Sequence, residues 1–478
     1  MPPQAQQPAA SPASFITPEY IEDFRRAAHQ AVDWVAEYLR DPRRYPVVAR
    51  IQPGELVDAL PATAPEQGEP YERIWQDFEQ KILPAVTHWN HPDFFAFFAT
   101  SSCAPAILGE LLCAALNTNG LHWKTSPALA ELEQVSLAWL RRWMGLPEEF
   151  FGIIYDTASV GSLHAIACAR EMVDPEAHTR GSLGNLVLYT SEQSHSSIEK
   201  DAIALGIGQN NVRKIATDAD FRMRPEALSA AIQQDLAAGR KPFCVVATVG
   251  TTATTSIDPV PPIADLCKRH QLWLHVDAAY AGTAAILPEF RHLMAGCERA
   301  HSFLVNPMKW MFIPVDLDAY YTRYPDILRR SFSLVPEYLR TAGAAREVNL
   351  MDYAIPLGRR FRALKLWFTM RYFGREGIAR ILRAQLEWAQ RLAKLVDADP
   401  QFERAAPVPL SVVCFRFRGS DDDNRRIVER VNDSGKAYIS QTVLNGRVVL
   451  RMAIGNIGTT WQDVAQTWEL VRAAAKGD

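Results

Sequence analysis

Between about Ser101 and Arg330 the chain alternates between two kinds of segment, and this alternation narrows the fold more than any other feature. Helix-like stretches such as "LAELEQVSLAWLRRWMG" and "SLHAIACAREMV" interleave with short apolar runs rich in β-branched residues: "NLVLYT", "FCVVATV", "LWLHVD" and "HSFLVN". The pattern predicts an α/β fold built on a large, mostly parallel sheet wrapped by helices. Ligands of such sheets bind just past the carboxyl ends of the strands. Reactive side chains are therefore expected immediately after these runs.

The flanks read differently. Residues 1–14 are polar and rich in Pro and Ala, with no basic start and no apolar core. They are expected to form a disordered tail rather than a signal peptide. Thr17, Pro18 and Glu19 mark a helix start, and a Pro/Gly-rich connector follows from about Tyr45 to Pro70. Residues 15–100 thus predict an N-terminal helical arm and dimerisation segment. Residues 101–385 predict the large α/β domain, and 386–478 a small α+β domain with strands at "LSVVCFRF" and "RVVLRMAIG". A chain of 478 residues, 48% hydrophobic, exceeds one ordinary core. With 51 Lys+Arg against 54 Asp+Glu, nothing points to nucleic acid or an anionic membrane surface. No apolar run approaches membrane-spanning length. The seven cysteines show no metal or redox spacing, as expected in a reducing, cytoplasmic setting.

Five groups stand at the predicted strand ends. Asp277 closes the strand in "LWLHVDAAYAG". A carboxylate there needs a cation or a donor: a structural salt bridge, or a protonated ring nitrogen whose ring lies flat on Ala278 and Ala279. Lys309 follows "HSFLV". Alone it reads as a lysine reaching for solvent; beside Asp277 it becomes a candidate nucleophilic amine. In "YDTASVGSLHA", residues Thr157, Ala158, Ser159 and Ser162 sit where a helix begins, which suits either a plain cap or a phosphate. His195, in "SHSSIEK", is placed for acid/base work or for stacking on a ring. Thr251 and Thr252, after "FCVVATV", offer hydroxyls.

Together these groups describe one ligand, with a phosphate, a protonated heteroaromatic nitrogen and an aldehyde that takes a lysine. That ligand is pyridoxal 5′-phosphate. The dinucleotide, nucleoside-triphosphate and zinc-protease signatures are absent, and His88 and His91 are too few for a metal site.

In "NHPDFFAFFATSS", "SPALAELE", "TAS", "SHSSIEK", "GTT", "HVDAAYAG", "NPMKW" and "LGRRFRALKLWF", the sequence resembles the group II pyridoxal-phosphate decarboxylases, and among them the aromatic-L-amino-acid decarboxylases. The resemblance implies the fold-type I architecture and a homodimer with active sites at its interface. It implies decarboxylation of an aromatic L-amino acid to the arylalkylamine. Lys309 would take the cofactor aldehyde and Asp277 would pair with the ring nitrogen. His195 and Ala279 would cover the two ring faces. Ala158, Ser159 and Asn306 would meet the phosphate, and Thr252 the cofactor edge. Trp89, Phe97, Phe98 and Thr100 would line the substrate site, with Leu121 reaching in from the partner subunit.

Three positions depart from the family pattern. Met308 stands where a histidine is usual, and Phe97 replaces a tyrosine. Counting back without gaps from Leu357-Gly358-Arg359-Arg360 puts Leu350 at the place of a catalytic loop tyrosine, with Tyr353 three residues on as the substitute. Loss of that tyrosine would permit oxygen to intercept the reaction and yield an aldehyde, so an aromatic aldehyde synthase is the alternative function. Met308 motivates a further one, a catalytically weak member kept for binding.

Overall fold

The computed structural model describes residues 16–182, 184–334 and 347–476. The tail expected over 1–14 lies outside these. The chain divides into two compact units, Met1–His88 and Trp89–Asp478.

In the first unit the helix Pro18–Arg40 begins as its sequence predicts, with Thr17 Oγ accepting from the N–H of Tyr20 at 3.2 Å. An aromatic cluster follows within the unit: Trp34 packs edge-on to Phe78 at 5.3 Å and stacks on Tyr38 at 5.2 Å. Yet no residue of this helix is fully buried, and Tyr20, Ile21, Phe24 and Val32 stand exposed.

The second unit holds both sheets. The strands of the large one are β1 (Phe151–Tyr155), β2 (Leu186–Ser191), β3 (Val212–Ile215), β4 (Lys241–Thr248), β5 (Trp273–Asp277), β6 (Ser302–Val305) and β7 (Asp318–Thr322). Their order is β1-β7-β6-β5-β4-β2-β3. The central pairs run parallel, and only β7 is reversed, antiparallel to both β6 and β1. The four β-branched runs became β2, β4, β5 and β6. All of β2 and β5 is buried, as expected of strands covered on both faces. β1, β3 and β7 carry weaker signals, since "FGIIY" includes a glycine and "DAYYT" opens on an acid.

The small sheet is antiparallel, ordered β10 (Ser440–Leu444), β11 (Arg447–Ala453), β9 (Val412–Phe417), β8 (Phe402–Arg404). Asn445 and Gly446, at φ 50 and 75°, make the tight turn between β10 and β11 that their dipeptide predicts.

Two expected boundaries differ. Residues 89–100 join the second unit rather than the arm. Phe95 is fully buried in the small-sheet core with Phe402, Phe415 and Trp468, worth about 2 kcal/mol. Its N–H donates to Tyr438 O at 2.8 Å and its carbonyl accepts from Ala453 at 2.9 Å. The 385/386 boundary falls inside the helix Ala363–Ala398, which kinks at Gly374 (φ 61°) and carries one apolar stripe through both cores.

Candidate active site

The carboxyl ends of β4, β5 and β6 open into a cleft of about 180 Å³. Asp277 is the last residue of β5 and nearly buried. Its Oδ1 accepts from the N–H of Ala279 at 3.0 Å, which aims the carboxylate and sets Ala278–Ala279 as a flat shelf beside it. The shelf is tied to the next strand, Ala278 N–H to Leu304 O at 3.1 Å and Asn306 N–H to Ala279 O at 2.9 Å.

Lys309 follows β6 on a single helical turn, Pro307–Trp310, its N–H bonded to Asn306 O at 2.9 Å. Nζ lies 5.5 Å from the centre of the Phe98 ring. Beneath it Phe98, Tyr280 and Trp310 stack at 3.8 and 4.5 Å, a rigid aromatic floor. Trp310 Nε1 donates to Gln385 Oε1 at 2.6 Å, so the floor is anchored to the long helix. Burial holds the Lys309 amine below its usual range, opposed by the charges of Asp277 and Asp318 and aided by that of Arg451. A lysine nearer neutrality is a better nucleophile.

Across the cleft, His195 Nδ1 accepts from the backbone N–H of Ser197 at 3.2 Å and meets Ser197 Oγ at 2.9 Å. A backbone N–H only donates, so the neutral ring carries its proton on Nε2. Burial lowers the pKa of His195 and Asp277 opposes that shift, while Lys309 and Lys200 add to it. Thr157 caps the helix Ala158–Val173, its Oγ accepting from Val160 N–H at 3.4 Å. The cap and the anion site of the sequence reading are thus one structure, since the first-turn N–H groups of a helix lack intrahelical partners. Asn306 adds a buried side-chain oxygen with no partner among the described residues. Gly250, at φ 91°, brings the backbone close, as a Cβ there would lie 2.6 Å from Ala281 Cβ. Thr252 lines the cleft, whereas Thr251 is buried and braces the turn through Thr254 and Ser256.

Two of the motifs prove to be supports. Arg362 bridges Asp316 at 3.0 Å and Asp156 at 2.7 Å, clamping the loops that end β1 and precede β7. Arg359, buried, pairs with Glu133 at 2.9 Å. Met308 Sδ accepts from the N–H of Leu317 at 3.4 Å, so the thioether holds the same loop before β7.

The lining of the cleft brings together Lys309, Asp277, His195, Ala158, Ser159, Thr252, Ala279, Asn306 and Phe98. It does not bring in Trp89, Phe97, Thr100, Leu121 or Tyr353. Trp89 and Phe97, 39% and 47% exposed, stack on each other at 5.8 Å. Leu121 O accepts from Met351 N–H at 3.1 Å, which groups Leu121 with the short helix Leu350–Tyr353. Leu350 is buried, and the Tyr353 ring packs on Phe151 at 5.0 Å, at the opposite end of β1 from Thr157. Tyr353 as substitute catalytic phenol is therefore not supported within one chain.

Two buried acids escaped the sequence reading. Asp201, on the helix Ser197–Ala204, is pushed up to about 8 by burial and by the charge of Asp277. Asp318 opens β7 and is fully buried. Its one sequence signal is an acid inside the otherwise apolar "LDAYYT".

The residues present fit pyridoxal 5′-phosphate, because a carboxylate, an amine of lowered basicity, an open helix start and a partnerless amide oxygen share one cleft. Residues 53–418 match the family model described as the pyridoxal-dependent decarboxylase conserved domain. The chain is 40% identical over 470 residues to the aromatic-L-amino-acid decarboxylase of Sus scrofa, covering 95% of this chain and 96% of that protein. It is 37% identical over 477 residues to phenylacetaldehyde synthase of Arabidopsis thaliana, covering 96% and 97%. The crystal structure of Oryza sativa TDC with PLP and tryptamine superposes with a TM-score of 0.93 at 36% identity, over 96% of this chain and 99% of that one. This chain belongs to the pyridoxal-dependent decarboxylase family, and its cofactor is pyridoxal 5′-phosphate.

Proposed function

We propose that the protein removes carbon dioxide from an aromatic L-amino acid and releases the arylalkylamine, working as a homodimer in the cytoplasm. The observation that carries the reaction is the convergence of Asp277 and Lys309 on one cleft at the ends of β5 and β6. Bound pyridoxal 5′-phosphate supplies an electron-accepting ring. Asp277 would hold the proton on the ring nitrogen, without which the ring accepts electrons poorly. Lys309 would hold the cofactor through its amine. His195, with its proton on Nε2, keeps a flat wall opposite the Ala279 shelf, and the Phe98–Tyr280–Trp310 stack excludes water below.

The aromatic substrate class is supported by relatives of nearly equal length, such as the porcine enzyme. The homodimer is supported by apolar faces left exposed within each unit: Tyr20, Phe24 and Val32 in the first, Leu108, Leu111, Leu112 and Leu116 in the second. The cytoplasmic setting is supported by seven cysteines that are all buried and free. No helix among the described residues is long and apolar enough to cross a membrane.

The aldehyde-forming reading draws on the phenylacetaldehyde synthase relative and on the buried Leu350. Between Phe332 and Arg359 the sequence holds two phenols, Tyr353 and Tyr338, and Tyr338 lies outside the described residues. One experiment separates the readings: incubate the purified protein with Trp, Tyr, Dopa or Phe and measure amine, aldehyde, peroxide and carbon dioxide together. Amine without peroxide is expected. Peroxide in step with carbon dioxide overturns it. Tyr338→Phe and Tyr353→Phe, run beside the wild type, identify which phenol keeps the product an amine.

A further inference from the structure

A second pocket lies at the other end of the large sheet. It is bounded by the amino ends of β5 and β6, by the residues that follow the reversed strand β7, and by the helix Val260–His270. Its volume is about 500 Å³, within the range of small-molecule sites. Asp277 closes β5 and Lys309 follows β6, so the length of those strands separates this pocket from the catalytic cleft. Its frame is tied together by hydrogen bonds between strand ends. Leu274 N–H donates to His301 Nδ1 at 3.0 Å, His301 N–H to Leu274 O at 2.9 Å, and Arg323 N–H to His301 O at 3.0 Å.

Lys268, Arg299 and Arg323 line this pocket, and no acid among the described residues does. The chain as a whole carries a formal net charge of -3, so general basicity does not account for three cations in one place. Arg299 is paired with Asp265, outside the lining, at 2.6 Å. Lys268 and Arg323 have no ion-pair partner among the described residues. Arg323 gives one N–H to Glu298 O at 3.2 Å and its guanidinium lies 5.9 Å from the Phe150 ring, neither of which neutralises it. Lys268 sits in the last turn of its helix, where a cation suits the helix dipole. That account does not extend to Arg299 and Arg323, which come from other segments. One wall is aromatic. Tyr324, 40% exposed, stacks on His301 with ring centres 5.3 Å apart, and His301 packs on the buried Trp273 at 5.1 Å. The bond from Leu274 occupies Nδ1, so the neutral His301 ring carries its proton on Nε2 and adds a donor. Met172, Leu272 and Leu274 supply apolar surface.

We propose that this pocket binds a small aromatic anion, a flat ring carrying one carboxylate or phosphate group. The anionic group meets the unpaired charges of Arg323 and Lys268, where a guanidinium fork matches two oxygens at once. The ring lies on Tyr324 and against the apolar surface. An inorganic anion would leave the aromatic wall unused, and a neutral ring would leave the cations without a partner. The site is separate from the catalytic cleft, so the inference holds whichever amino acid that cleft accepts.

The test is isothermal titration of the full-length holoenzyme with four probes: phenyl phosphate, benzoate, benzyl alcohol as a neutral ring, and inorganic phosphate as an anion without a ring. Phenyl phosphate or benzoate is expected to bind once per chain, and the tighter of the two names the anionic group. Raising the salt concentration should weaken that binding. Lys268→Gln and Arg323→Gln alter exposed side chains that the fold does not need, and each should weaken it roughly 10-fold or more. Tyr324→Leu should weaken it roughly threefold or more. All three variants should keep the wild-type kcat and KM, which separates this pocket from the catalytic cleft. The proposal fails if neither ring anion binds at millimolar concentrations, or if Lys268→Gln and Arg323→Gln bind them as the wild type does. It fails equally if benzyl alcohol or inorganic phosphate binds as tightly as the better ring anion.

Discussion

The cofactor side of the cleft and the substrate side are built in different ways. On the first, Asp277, Lys309, His195, Thr157 and Asn306 come from four separate strand ends or helix starts, yet each is set by local hydrogen bonds within one chain. On the second, Trp89, Phe97, Leu121 and the Leu350–Tyr353 turn stand outside the cleft, with Trp89 and Phe97 partly exposed. A single chain completes the site that holds the cofactor and leaves incomplete the site that selects the side chain. That division is what the proposed homodimer with shared active sites would require.

The sharpest way to break this picture is to separate the two halves. Lys309→Ala alone should lose at least about 1,000-fold in kcat, as removal of a covalent group does. Leu121→Arg should also be impaired. If Leu121 serves the partner's cleft, a mixture of the two variants after dissociation and reassociation regains about a quarter of wild-type activity, since half the dimers are mixed and each has one intact site. No recovery would confine Leu121 to its own chain. A smaller effect probes the cofactor side alone. Asp277→Asn should lower kcat ~100-fold or more while cofactor retention, read by absorbance after dialysis, changes much less.

A fourth variant tests the buried acid Asp201 by stability. Asp201 is held near 8 rather than its ordinary 3.8, so the native state binds its proton more tightly than the unfolded chain does. Stability from that proton is full below about pH 4 and is lost as pH rises toward 8. Asp201→Asn removes this dependence. Its Tm should exceed the wild type's by a few degrees at pH 8 and match it near pH 4. A constant difference across pH would mean that Asp201 is already ionised. The smallest effect belongs to Met308→Leu, which keeps the volume and deletes only the acceptor for Leu317 N–H. It should cost ~1 kcal/mol in denaturant unfolding and leave kcat within about threefold. Met308→His should restore an acceptor, and a change in product ratio there would give this position a role in the chemistry.

Much of the cofactor side was legible because its residues sit at fixed offsets from strong strand signals. "LWLHVD" announces both the strand and the carboxylate at its end, and "HSFLVN" does the same for Lys309. The four strongest strands were read correctly for the reason that buried parallel strands are continuous apolar runs. Where the signals were weak or the partner distant, the reading stopped. β7 opens on an acid and follows a loop, so Asp318 could not be recognised as a buried residue. Residues 89–100 carry the look of an arm, but Phe95 finds its core among Phe402, Phe415 and Trp468, more than 300 positions later. The ungapped count to Leu350 named a place in the chain, while burial of that leucine and the packing of Tyr353 on Phe151 decided what the place can do.

By itself, then, the sequence determined the fold class, the cofactor and many of the residues that line its cleft, because these follow from periodicity and from motifs that are local in the chain. Only the tertiary structure decided that Met308 is a backbone acceptor, that Arg359 and Arg362 are clamps, and that Asp201 and Asp318 are buried acids. Burial and electrostatic neighbourhood are properties of contacts between distant segments, and no local pattern encodes them.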